Sequence, residues 1–104
     1  MKGAAMNISV AIPLLLCATA IAQAPVPRNG YIPDEKTAIR VAEAILSPIY
    51  GEQQIKSEQP FHATLANGVW VVEGSLPAKY ELGGVASVRI DKKTGAVLSY
   101  IHGK

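Results

Sequence analysis

Two histidines, His62 and His102, are the side chains in this 104-residue sequence best suited to proton transfer or metal ligation near neutral pH. A strand pairing that sets His62 opposite Glu73 would bring an imidazole within reach of a carboxylate, which raises its basicity. General-base chemistry also needs a pocket and a second functional group, and no nucleophile stands near either residue. The pair therefore reads as a surface electrostatic contact. His102, in Tyr100-Ile101-His102-Gly103-Lys104, could share a metal with His62, but a closely spaced third ligand is missing. Ser75, Ser87, Ser99 and Thr94 have no nucleophile-elbow context, and Gly83-Gly84 lacks the spacing of a phosphate loop. Asp91-Lys92-Lys93-Thr94-Gly95 offers too few acidic ligands for a cation and reads as a turn. The sequence thus assigns no catalytic residue, metal or cofactor, and the chain is read as a non-enzyme.

The elements that must carry these residues follow a separate leading segment. Hydrophobic residues make up 49% of the chain and charged residues 17%, a balance skewed by its opening. Lys2 precedes a run over residues 10–22 in which Thr19 alone is polar. That run is short for a membrane-spanning helix, which needs about 20 apolar residues. It suits the apolar region of a cleaved secretory signal. Ala20-Ile21-Ala22 and Ala22-Gln23-Ala24 both fit a small-x-small cleavage rule, and the first is favoured because the second would leave Pro25 at the new terminus. Cys17 falls within the signal, and Leu16 before it is too large for a lipidation site. Residues 1–22 are accordingly read as a signal peptide, 23–32 as an extended leader and 33–104 as one domain. Ten Lys and Arg stand against eight Asp and Glu, and Lys2 leaves with the signal, so the remainder is nearly neutral. With no basic stripe and few aromatics, nucleic-acid binding has little support.

Pro33-Asp34-Glu35 marks a helix start, with proline where its missing N–H costs nothing and carboxylates at the positive end of the dipole. Ala38, Val41, Ala42, Ile45 and Ile49 then recur at helical spacing. Pro48 is expected to kink or end the helix near Leu46, with one further turn reaching Gly51. Residues 53–57 are read as a short first strand. Residues 61–66 and 69–76 flank Asn67-Gly68, a strong two-residue hairpin signal, which pairs Leu65 with Trp70, Ala63 with Val72 and His62 with Glu73. A loop over 77–84 leads to a second hairpin, 85–91 with 96–102. The resulting fold class is α+β: one main amphipathic helix on a twisted antiparallel sheet of four to five strands.

In this register Phe61, Ala63, Leu65, Trp70, Val72, Val88 and Ile90 form a dry interior, with Val97 and Ile101 as companions of Ala86, Val88 and Ile90. The opposite face carries His62, Thr64, Val69, Val71, Glu73, Val85, Ser87, Arg89, Leu98, Tyr100 and His102. Such a mixture of β-branched, aromatic and charged side chains suits a protein-binding surface. Lys79, Tyr80 and Glu81 in the following loop could rim it. The candidate partner-binding residues are therefore His62, Val71, Glu73, Lys79, Tyr80, Glu81, Arg89, Leu98, Tyr100 and His102.

Asn29-Gly30-Tyr31-Ile32-Pro33-Asp34-Glu35-Lys36-Thr37-Ala38-Ile39, then Ala42-Glu43-Ala44-Ile45 and Ile49-Tyr50-Gly51, resembles the opening of small bacterial immunity proteins with a nuclear-transport-factor-2-like fold. Gly68-Val69-Trp70-Val71-Val72-Glu73-Gly74, Gly83-Gly84-Val85-Ala86 and Lys93-Thr94-Gly95 extend the likeness over about residues 28 to 104. The resemblance implies a short version of a cone-like sheet packed against helices. It also implies that the chain binds and neutralises a cognate toxin used between competing bacteria. With an export signal, that encounter would occur in the periplasm.

Two other function classes compete. The stretch Val88-x-Ile90-Asp91-Lys92-Lys93-Thr94-Gly95-Ala96-Val97-Leu98 is similar to the hairpin of PepSY domains, which implies a periplasmic protease inhibitor or small-ligand-binding module. A small enzyme on the same cone would need converging acid–base groups inside it, which the apolar interior argues against.

Overall fold

The computed structural model describes residues 24–77 and 83–103, so the expected signal peptide and the loop residues Lys79, Tyr80 and Glu81 lie outside the described residues. Helix α1 spans Glu35–Tyr50 and starts where Asp34 caps it, its Oδ1 accepting the Thr37 backbone N–H at 2.8 Å. This hydrogen bond holds the Asp34 carboxyl below the usual carboxylate range. Ala38, Ala42 and Leu46 form its buried stripe. Pro48 does not end the helix, which continues to Tyr50. Ala44 and Pro48 are both exposed, so the carbonyl that the proline deprives of its intrahelical donor belongs to a residue outside the core.

Residues expected to form a first strand instead make a second helix, α2, over Glu52–Ser57. Gly51 separates the two helices, its N–H bonding Ser47 O at 2.8 Å and its carbonyl accepting from Ile55 N at 3.1 Å. Glu, Gln and Lys are good helix formers, and Ile55 alone of this segment is buried, a pattern that suits one helical turn against a core.

Strands β1 (His62–Ala66), β2 (Val69–Glu73), β3 (Ala86–Asp91) and β4 (Val97–His102) form an antiparallel sheet in the order β1-β2-β3-β4. The fold is α+β, one main helix on four antiparallel strands. The first hairpin has the register read from Asn67-Gly68: His62 faces Glu73, Ala63 faces Val72 and Leu65 faces Trp70. Asn67 and Gly68 have φ of 51° and 75°, left-handed values that a tight hairpin turn demands of both its central residues.

The second hairpin departs from a simple alternation. A register shift between Arg89 and Ile90 pairs Arg89 with Ser99 but Ile90 with Val97, leaving Leu98 as the extra residue of a bulge. One added residue exchanges the faces of everything beyond it. Tyr100 and His102, expected on the outer face, therefore lie opposite Val88 and Ala86 on the helix side. Ile101, expected inside, lies opposite Ser87 on the outer face and is 66% exposed. Val97 keeps its expected side.

Helix α1 packs against β1, β2 and β3. The core between them comprises Ile32, Ala38, Ala42, Leu46, Ile55, Phe61, Ala63, Trp70, Val72, Ala86, Val88 and Ile90. Leu65 lies on this face but remains 44% exposed near the end of an edge strand. Residues 30–32 dock on the β3–β4 turn: Tyr31 N and Ile32 N donate to Lys93 O and Lys92 O at 3.0 Å. The Trp70 indole donates to Ile32 O at 2.8 Å, which satisfies its one polar atom inside the core.

Candidate functional site

Among the described residues the core holds one buried charged side chain, Glu58. It follows α2, where the Glu58 N–H bonds Ile55 O and its carbonyl accepts Ser75 N at 2.6 Å. The main chain is thereby held across the end of β2. Gly74 is the residue that allows the approach: a Cβ there would meet Glu58 Oε1 at 2.8 Å, Glu58 Cβ at 2.9 Å and the Phe61 ring at 3.1 Å. The carboxylate points between the layers toward the start of β3 and the end of β4.

Each oxygen of Glu58 is occupied. Oε1 accepts the Ala86 backbone N–H at 2.6 Å, and Oε2 accepts Gln54 Nε2 at 2.7 Å and lies 2.8 Å from His102 Nε2. Burial on its own would push the Glu58 carboxyl up, but the donors Ala86, Gln54 and His102 outweigh it and hold the group below its ordinary 4.5. His102 is raised above its ordinary 6.5, chiefly by its hydrogen bond to Glu58, with burial opposing and the Gly103 carbonyl assisting. Its Nδ1 lies 2.8 Å from Gly103 O, an acceptor without a proton. With an acceptor at each ring nitrogen, the protonated ring can donate to both at once, so this setting favours an imidazolium paired with a carboxylate. The Tyr50 ring stands 5.2 Å from the His102 ring and 6.4 Å, edge-on, from that of Tyr100.

Glu58 and His102 engage each other rather than an open pocket. His102 is engaged at both ring nitrogens, and the Glu58 side chain is wholly enclosed. Two surface recesses, about 400 Å³ beside residues 27–30 and 91–93 and about 560 Å³ beside Ile39 and Phe61, are lined by neither residue. No group of three metal-ligating side chains converges among the described residues.

The residues read from sequence as a single partner surface are divided by the sheet. His62 and Glu73 are cross-strand neighbours on the outer face, both exposed, and no side-chain hydrogen bond or ion pair joins them among the described residues, so the expected contact is not made. Val71 and Arg89 pair across β2 and β3 on that face, with Ile101 nearby opposite Ser87. Leu98 is 49% exposed at the bulge. Tyr100 and His102 belong to the helix side. Glu58, Gln54 and Tyr50 were not legible as site residues. A hint lay in Gly74, since a glycine closing a strand often marks the close approach of another segment.

A model of the NTF2 fold immunity protein family matches residues 37–104, from within α1 through β4. The chain belongs to that family. Residues 88–98, similar by themselves to a PepSY hairpin, lie inside the matched span. The chain is 43% identical over 72 residues to uncharacterized protein YbbC of Escherichia coli (strain K12), covering 67% of this chain and 57% of that protein. It is 32% identical over 76 residues to uncharacterized protein YhhH of the same organism, covering 73% and 60%. The aligned part thus spans somewhat over half of each relative. No solved structure matches the chain significantly.

Proposed function

We propose that this protein is an antidote that binds and neutralises a cognate bacterial toxin, and that it does so in the periplasm after export directed by residues 1–22. The family match over residues 37–104 carries this reading. It is supported by a histidine whose ring nitrogens are both occupied and by an interior otherwise filled with apolar side chains, which favour action through the outside of the molecule. The contact surface is the outer sheet face running to β4, where Val71, Arg89, Leu98 and Ile101 combine apolar area with a charge. Docking there occludes the toxin, and no bond is made or broken.

Growth rescue in a strain expressing the toxin of a neighbouring gene tests both halves. With the toxin directed to the periplasm, the full chain restores growth and a version lacking residues 1–22 does not. Rescue by the shortened version alone would refute the periplasmic half. Absence of binding between the purified protein and the neighbouring toxin would refute the antidote itself.

A further inference from the structure

Strand β4 is the edge of the sheet that α1 meets least: the body of the helix packs on β1, β2 and β3, its last residue Tyr50 reaches Tyr100 and His102, and Val97, Leu98, Tyr100 and Ile101 are all exposed. Its ladder to β3 is interrupted by the bulge at Arg89 and Ile90. At its far end, His102 crosses to Glu58, forty-four positions away in the chain, and the Tyr50 ring packs beside it. We propose that the Glu58–His102 pair is a proton-operated latch that fastens the end of β4 to the helical layer, closed when the imidazole is charged and released when it is neutral.

The geometry ties the latch to the protons on the ring. Gly103 O and the Glu58 carboxylate are both acceptors, so the ring satisfies them only with two protons. A neutral imidazole has one N–H and must turn a lone pair on the other acceptor. If the proton stays on Nδ1, Nε2 confronts Glu58 Oε2; if it stays on Nε2, Nδ1 confronts the Gly103 carbonyl. Glu58 remains in place in either case, because Ala86 N and Gln54 Nε2 still hold it. The strand end is the partner that yields. The groups facing the ring are Glu58 from the α2–β1 connection, neutral Gln54 from α2, the Tyr50 phenol from α1, Tyr100 from β4 and the Ala86 N–H side of β3. Glu58 is the one among them carrying a charge at neutral pH. Lys56, the cation nearest to Glu58 in sequence, pairs instead with Glu52 on the exposed side of α2.

Amide hydrogen exchange followed by NMR on the intact protein from pH 6 to pH 9 tests the latch, with protection factors corrected for intrinsic exchange. The protection of the Gly103 amide, which donates to Val85 O, and of the Ile101 amide, at the next hydrogen-bonded position of the ladder, falls roughly tenfold as the His102 ring titrates, while the β1–β2 hairpin keeps its protection. His102→Gln removes the pH dependence and leaves β4 at its open level throughout. His62→Gln, which alters the chain's other histidine, leaves the dependence intact. Constant β4 protection across the titration overturns the proposal. So does a pH dependence that survives in His102→Gln, or one that disappears in His62→Gln.

Discussion

Glu58 exchanges the solvation of a carboxylate for the Ala86 amide, Gln54 and an imidazolium, and substitutions there act by orphaning donors. Glu58→Gln preserves shape but places an amide N–H₂ against groups that are themselves donors. Breaking a buried pair in this way costs about 3 kcal/mol, seen as a lower urea midpoint at unchanged slope. Gly74→Ala drives a methyl into Glu58 and the Phe61 ring, where little can yield, and costs about 2 kcal/mol by the same measurement. These residues were silent in the sequence because their importance comes from burial. A glutamate after Glu-Gln-Gln-Ile-Lys-Ser looks like one more solvated charge until tertiary packing encloses it.

At the scale of elements, what could be read depended on how locally each feature is encoded. Asn67-Gly68 fixes its hairpin through two backbone angles, and the whole β1–β2 register follows from it. Gly68→Val, which forces a β-branched residue to φ near 75°, should therefore destabilise the fold by about 2 kcal/mol in thermal or urea unfolding. Helix α1 was legible from its apolar spacing, although its passage through Pro48 depends on which side of the helix faces water. The β4 assignments failed at one point. The bulge at Leu98 leaves no mark in the alternation of apolar residues, yet it reverses the facing of Tyr100, Ile101 and His102. Residues 53–57 were expected as a strand because everything after Gly51 was read as strands, whereas the Gln and Lys content favoured a helical turn.

For the molecule as a whole, Glu58 and His102 together give stability a pH profile. His102 is raised in the fold, so its contribution is complete below 6.5 and is lost as pH rises through its higher folded value. Glu58 is lowered, so its contribution is complete above 4.5 and is lost as pH falls through its lower folded value. The pair contributes fully between 4.5 and 6.5, and unfolding midpoints measured from pH 3 to pH 9 should decline on both sides of that window. His102→Gln should remove the alkaline decline. On the outer face, Ile101→Asp should leave unfolding nearly unchanged, because that side chain is 66% exposed, while weakening toxin binding at least tenfold by calorimetry.

The link between residues 58 and 102 also sets an order of events during synthesis. Glu58 lies beside α2 and next to the first hairpin, both of which are complete long before residue 102 has been made. Until then its carboxylate lacks the cation that compensates its enclosure, and β3 lacks its outer neighbour. Of the described strands, the one furthest along the chain is thus the one that supplies the charge partner for a side chain enclosed forty-four positions earlier.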